Sequence, residues 1–481
     1  MDINQIAQSN NIFKHFIALN KIPRCSNNEE DISNYLRKLG ENLGYDSYQD
    51  EFLNVIIRKP ASEGYEDKAT VALQAHMDMV CEKSLTSEHN FKTDPIEMHI
   101  DDDFLKAKET TLGADNGIGI ALALSILEDK NLRHPDLELV FTATEETGMD
   151  GVIGLSDQIL KANKLINIDT EDEGVMIIGC AGGNNASIRI PMKFEQVKDL
   201  HNIELTVSGL KGGHSGLTIG SDHINAIKLI GEILSRVRSK FDIHLQNLTG
   251  GTKHNAIPSQ ASAILGVEAE VYTKLKHFLK EEADELISKY LKRESNINIV
   301  SKDGPEYDIY FNQDLSKEIL NAINLLPNGV HTVDKHEIDN VESSNNLATA
   351  RMVNDIFEIS LSIRSSNSNE KQVLMDKISE VARIIDAKVD FTDGYPMWQP
   401  NYDSELAKLA KRVYEDLFDK EMLIETIHAG LETGMLSQKY PQMDMISIGP
   451  DIYGAHTPSE KVSISSTNRI YDYLVELLAN L

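Results

Sequence analysis

Five short stretches place carboxylates or imidazoles directly after apolar runs. QAHMDMV carries His76 and Asp78, TTLGADNGIGIA carries Asp115, FTATEETGMDG carries Glu145 and Glu146, LINIDTEDEG carries Asp169, and GPDIYGAHTPSE carries His456. The strands of an α/β sheet deliver such positions to one shared edge, where ligands bind. Carboxylates gathered there with two imidazoles would make a site for divalent metal. A further carboxylate beside them, free to act as a base, would make a site for metal-assisted hydrolysis.

Each stretch also has a plainer reading. His76 and Asp78 are two apart on a strand, so they share a face. Asp78 suits a supporting role, because a metal-binding imidazole needs a partner on its other nitrogen. Alone, His-x-Asp is a weak signal. Asp115 opens a helical run, where an ordinary N-cap would also place Asp. Glu145 and Glu146 are costly to bury without a cation. Adjacent side chains diverge, so they would play different parts. Glu146 suits a ligand, and Glu145 suits a proton carrier near metal-bound water. Glu171, Asp172 and Glu173 read as solvent-facing, and an isolated His such as His456 is often structural.

The count decides. His76, Asp115, Glu146, Asp169 and His456 would serve two ions if one carboxylate bridges them. Such oxygen-rich sets with one imidazole per ion suit Zn²⁺, and also Mn²⁺ or Co²⁺. Further along, GLKGGHSG holds His214, GGTKHNAIP holds His254 and Asn255, and SLSIRSS holds Arg364. Arg364 could take a substrate carboxylate bidentately, and His214 or Asn255 could stabilise an oxyanion. Structural roles fit these three equally well. Nucleophilic catalysis has little support, since there is no G-x-S-x-G elbow and Cys81 and Cys180 lack an evident partner.

The elements that must position these residues follow from periodicity. Residues 29–42 read as an amphipathic helix, and 117–128 as a buried one. Strand-like runs occupy 53–57, 69–75, 137–143 and 164–168, predicting a mainly parallel or mixed sheet. From about 187 the pattern changes. Strands at 187–192, 203–209, 241–247, 260–269 and 296–302 alternate with helices at 222–239 and 272–291, as in an α+β plait. A helix at 315–326, strands at 356–364 and 388–392, and a helix at 369–386 continue it. A helix at 402–418, a strand at 443–448 and a helix at 466–480 follow. If His456 returns to the first block's edge, the middle block is an insertion.

The bulk properties narrow the function classes. At 481 residues the chain needs two or more domains. Its net charge of −29 argues against nucleic-acid partners and against anionic membrane surfaces. No apolar run reaches the ~18 residues of a membrane helix, and the N-terminus shows no secretory signal. Three cysteines, distant in sequence, read as free thiols of a reducing cytosol.

The motif set closely resembles the aminoacyl-histidine dipeptidases, also called Xaa-His dipeptidases or bacterial carnosinases. These belong to the co-catalytic zinc peptidases that include aminoacylases and carboxypeptidases. HMDMV, TTLGADNGIG, FTATEETGMDG, LINIDTEDEG, GLKGGHSG, HAGLETG and GPDIYGAHTPSE carry the resemblance, with IPRCSNNEE and GYPMWQPN. It implies that His76 and Asp169 hold one zinc, Glu146 and His456 the other, and that Asp115 bridges them through a segment with a cis 115–116 peptide. Asp78 would orient His76, and Glu145 would be the general base. His214, Asn255 and Arg364 would engage substrate, His214 in many relatives from a partner subunit. The implied fold is an α/β catalytic domain of residues 1–182 and 399–481, with a central mixed sheet flanked by helices. A plait-like (ferredoxin-like) lid of residues 183–398 is inserted and pairs two chains into a homodimer. The implied function is cytoplasmic hydrolysis of dipeptides, including Xaa-His and β-alanyl-histidine, with N-acyl amino acid deacylation or broader di/tripeptidase activity as the alternative. One departure stands out: an Arg is expected where His254 occurs, which puts preference for a C-terminal histidine in question.

Overall fold

The computed structural model describes residues 3–336, 340–392 and 394–481. The chain divides into two compact units, one of residues 1–179, 398–426 and 431–481, the other of residues 180–397 and 427–430. Each has its own hydrophobic core.

The first unit is built on an eight-stranded sheet. Its order is Asp46–Gln49, Val55–Lys59, Leu137–Thr142, Val71–His76, Lys164–Asn167, Asp444–Ser447, Val175–Cys180 and Leu423–Ile427. The 71–76 strand runs parallel to both 137–142 and 164–167, and 444–447 runs parallel to 164–167. Antiparallel strands flank this block, so the sheet is mixed. Every residue of 71–76 and 137–142 is buried. This explains why those strands read as mainly apolar runs, broken by Gln74 and Glu138, rather than as alternations. The helix Ala114–Glu128 is buried throughout 116–127, as its apolar circumference requires. It begins three residues before the expected start, and Asp115 and Asn116 inside it are non-helical. Four parallel strands therefore end at one edge, and the loops leaving that edge carry the candidate site.

The second unit holds a nine-stranded sheet of antiparallel pairs. Its main path is Asn298–Asp303, His201–Ser208, Ala261–Val267, His244–Gly250, Val341–Val353, Ile356–Ser365, Gly182–Pro191 and Lys388–Phe391; Gly329–Val333 pairs with 341–353 off the path. Two β-α-β-β-α-β plaits lie edge to edge, joined where Gly250 meets Ala350. One is continuous in sequence, with helices Ala226–Arg238 and Ala269–Tyr290. The other begins with 182–191, is interrupted by the first, and resumes with helices Gln313–Leu325 and Ser368–Ile384. The 341–353 strand was not expected from sequence.

Two expectations need correction. Cys25 and Cys81 form a disulfide, because the loop at Cys25 runs beside Met79 and brings the two Cα atoms to 5.7 Å. Glu173 is not a solvated loop charge. Its carboxylate is 5 % exposed and accepts two bonds from the Arg469 guanidinium. Among the described residues, no helix is long and apolar enough to cross a membrane.

Candidate metal and catalytic site

His76 ends its strand with its side chain 2 % exposed. Nδ1 lies 3.3 Å from Asp78 Oδ1, and Nε2 lies 3.0 Å from Asp115 Oδ1 and 3.5 Å from Asp169 Oδ1. The other Asp115 oxygen, Oδ2, is 3.0 Å from His456 Nε2, which is itself 2.9 Å from Glu146 Oε1. One carboxylate thus spans two imidazoles, and each imidazole has a second carboxylate of its own. Ligating atoms of His76, Asp115 and Glu146 all lie within 4.8 Å of one another. The 115–116 peptide bond is cis.

Asp78 does more than face His76. Its oxygens accept the backbone N–H groups of Glu145 at 3.0 Å and Glu146 at 3.2 Å, and the Ser26 hydroxyl at 2.8 Å. It therefore sets the loop carrying both glutamates against the strand carrying His76. Asp169 is held by Asn116, whose Nδ2 donates to Oδ1 at 2.5 Å.

Crowding of acids governs the electrostatics. Burial opposes protonation of His76, but Asp169, Asp115 and Asp78 outweigh it and raise the imidazole well above its usual range. Asp115 and then Glu146 push His456 up to about 11. The two imidazoles hold Asp115 below the usual carboxylate range despite burial. Asp169 is driven well up by burial and by neighbouring carboxylates, the His76 charge opposing. Burial, helped by Glu432, Glu146 and Asp115 and opposed by His76, lifts Glu145 to about 8. Buried Glu146 Oε1 and His76 Nδ1 make no well-formed hydrogen bond among the described residues. Oxygens this close, with two imidazole nitrogens between them, fit a pair of divalent cations.

Sequence reasoning passed over several buried groups around the cluster. Glu432 is fully buried and accepts from Gln74 Nε2 at 2.7 Å and the Thr142 hydroxyl at 2.6 Å; burial lifts it to about 7. Gln74 Oε1 in turn accepts from Asn167 Nδ2 at 2.6 Å, and Asn167 Oδ1 accepts from the Ser447 hydroxyl. This chain of polar groups, with Thr142, Gln74, Asn167 and Ser447, crosses all four parallel strands. Its signal was the isolated Gln74 and Asn167 inside otherwise apolar strands, which need partners when buried.

The remaining candidates lie in the second unit. His214 and Asn255 belong to one small hairpin, where His214 pairs with Ala256 and the Asn255 carbonyl accepts the Ser215 N–H at 2.9 Å. His214 Nδ1 accepts N–H bonds from Gly216 and Leu217 at 3.2 and 3.1 Å. Arg364 is 8 % exposed, and its Nη1 donates to the Tyr395 hydroxyl at 2.5 Å. A Cβ at Gly216 would sit 3.1 Å from the Arg364 guanidinium carbon, so the His214 turn lies against that side chain. His428, not singled out from sequence, joins them through a 2.7 Å contact with the Ser344 hydroxyl. Burial first, and then the Arg364 charge, lower both His214 and His428, the latter to about 3. His254 is exposed.

Residues 72–480 match the model of peptidase family M20/M25/M40. The chain is 37% identical to the cytosol non-specific dipeptidase of Escherichia coli (strain K12) over 464 residues, which is 96% of each protein. Its fold superposes on an aminoacylhistidine dipeptidase from Vibrio alginolyticus with a TM-score of 0.92 and 35% identity, covering 98% of this chain and 96% of that one. The aminopeptidase PepT from Bacillus cereus ATCC 10987 shares the fold more distantly, with a TM-score of 0.57, 15% identity, and coverage of 98% and 97%. With this coverage and these motifs in order, the chain belongs to peptidase family M20/M25/M40.

Proposed function

We propose that this protein is a metal-dependent dipeptidase. The observation that carries the reading is Asp115, whose two carboxylate oxygens each face a different imidazole while Glu145 stands one residue from the Glu146 carboxylate. His76 and Asp169 would hold one divalent ion, Glu146 and His456 the other, and Asp115 both, with zinc the first choice and manganese or cobalt acceptable. When bound, such ions supply a nucleophile at neutral pH and a Lewis acid for the scissile carbonyl. Glu145 takes the proton that water gives up and returns it to the departing amine nitrogen. Asp78 holds His76 and the 145–146 backbone in register for that transfer. In the second unit, Arg364 donates to the C-terminal carboxylate, while His214 and Asn255 steady the carbonyl oxygen.

Substrates are short peptides with a free C-terminus. The similarity to a non-specific dipeptidase and to an aminoacylhistidine dipeptidase, together with His254, favours breadth over strict demand for a C-terminal histidine. The second unit serves as a lid and pairs two chains. A cytoplasmic location fits the relative named for the cytosol; there, reducing conditions would leave Cys25 and Cys81 as two adjacent thiols.

A substrate panel tests the reading. With zinc or manganese present, alanyl-histidine, β-alanyl-histidine and leucyl-glycine are compared with acetyl-methionine. Hydrolysis of the alanyl-histidine and leucyl-glycine, with acetyl-methionine untouched, is expected; the reverse pattern would make the protein a deacylase. Glu145→Gln is expected to lower kcat about 10²–10⁴-fold with the metal count unchanged. Full turnover by that variant removes Glu145 from the mechanism.

A further inference from the structure

We propose that Glu460 is a positioning residue of the metal centre, holding Asp115 against His456 by gripping the backbone ahead of Asp115. The inference rests on the two-ion reading above.

Glu460 is 3 % exposed. Its Oε2 accepts the N–H groups of Leu112 at 2.6 Å and Gly113 at 3.0 Å, and its Oε1 those of Ala114 at 2.7 Å and Asp115 at 3.2 Å. Four successive backbone donors therefore converge on one carboxylate. Gly113 has φ +68°, and this left-handed residue lets the successive N–H groups turn inward as an anion-binding nest. An ordinary helix cap does not account for the contact. Asp115 and Asn116 are non-helical, so the gripped donors precede the regular helix.

A cation grips the same segment through the Gly113 carbonyl and ties it to the residues just after His76. Arg24, 1 % exposed, donates to the carbonyl of Gly113 at 2.6 Å and to those of Met77 and Asp78 at 3.1 and 3.2 Å. A Cβ at Gly113 or Gly117 would come within 2.4 or 2.5 Å of Arg24 Nη2, so both glycines make room for the guanidinium. Burial lowers Arg24 only to about 10, so it keeps its charge at neutral pH, and Glu460 is the largest charge supporting it.

The sequence makes this grip consequential. Glu460 lies four residues after His456 in one loop, and His456 Nε2 faces Asp115 Oδ2 at 3.0 Å. The loop therefore touches Asp115 twice, at its side chain through His456 and at its backbone through Glu460. These two contacts fix the separation of an imidazole and the carboxylate that would bridge two ions. Loss of a partner that orients ligands weakens metal binding about 10–100-fold.

The test is cobalt titration of the metal-free full-length chain, read by visible absorption, with circular dichroism reporting the fold. Glu460→Gln keeps the shape but presents an amide in place of an oxygen that must accept. A folded Glu460→Gln protein is expected to bind Co²⁺ about 10–100-fold more weakly and to show an altered d–d spectrum. Glu460→Asp and Arg24→Lys should shift both readouts less, in the same direction. Wild-type affinity and spectrum in any folded Glu460→Gln or Glu460→Asp protein overturns the proposal. If neither folds, Arg24→Lys decides by the same readouts. Failure of all three to fold also overturns it, since the contact would then serve the whole unit rather than the metal centre. Wild-type protein that binds no cobalt at all defeats the underlying two-ion reading instead.

Discussion

The two units each set histidines beside charged groups, and the outcomes are opposite, whether the imidazole is buried, as at His76 and His428, or more open, as at His456 and His214. In the first, His76 and His456 stand among carboxylates and are pushed up; in the second, His214 and His428 stand beside Arg364 and are pushed down. Burial alone lowers any imidazole. The sign of the neighbours therefore decides what each pocket lacks. The acidic cluster calls for cations, and the guanidinium cluster, with neutral imidazoles around it, calls for an anion such as a carboxylate.

This contrast can be broken most sharply at Asp115. Asp115→Ala removes the group that both imidazoles share. Metal analysis should find fewer than the two ions expected per wild-type chain. Loss of several kcal/mol of transition-state stabilisation should lower dipeptide turnover at least about 10³-fold. Two tightly held ions in this variant would disprove the bridging role. The second cluster is tested by Arg364→Ala. Charge-assisted bonds of about 1.5–3 kcal/mol correspond to a rise in KM of roughly 10–100-fold, with kcat changed far less. An unchanged KM would mean that Arg364 serves Tyr395 and not substrate.

The smallest effect concerns His428. Its folded pKa, about 3, lies below the ordinary value of 6.5. As pH falls below 6.5 the unfolded chain takes up a proton that the folded chain refuses until near 3. Stability is therefore lost progressively as pH falls through this window. His428→Gln should make the thermal midpoint of the metal-free protein fall less between pH 7 and pH 5 than in wild type. An identical slope would show that Arg364 and burial do not keep His428 neutral.

What could be read from sequence depended on whether side-chain chemistry matched its surroundings. Strands 71–76 and 137–142 were legible because they are apolar and buried on both faces. Strand 341–353 was not, because its buried residues include Ser343, Ser344, Asn345 and Asn346. The side-chain amides of Asn345 and Asn346 donate to the carbonyls of Pro327 and Ala256 at 2.6 and 2.8 Å, partners that no periodicity reveals. Glu432 and Glu460 were missed for a related reason, since a buried acid gripped by donors has the same letter as a solvated one. The paired plaits left helix and strand signals in the right order. Their relation stayed hidden because one interrupts the other, so no fixed period marks them. The disulfide escaped because 56 residues separate its halves.

One feature of the first sheet bears on synthesis. Strand 444–447 lies between 164–167 and 175–180, in the interior of the sheet rather than at its margin. Until the ribosome has released that late segment, the early strands face an open slot, and the loop bearing His456 has not been made. Any truncation ahead of residue 444 would therefore expose two unpaired strand edges to aggregation.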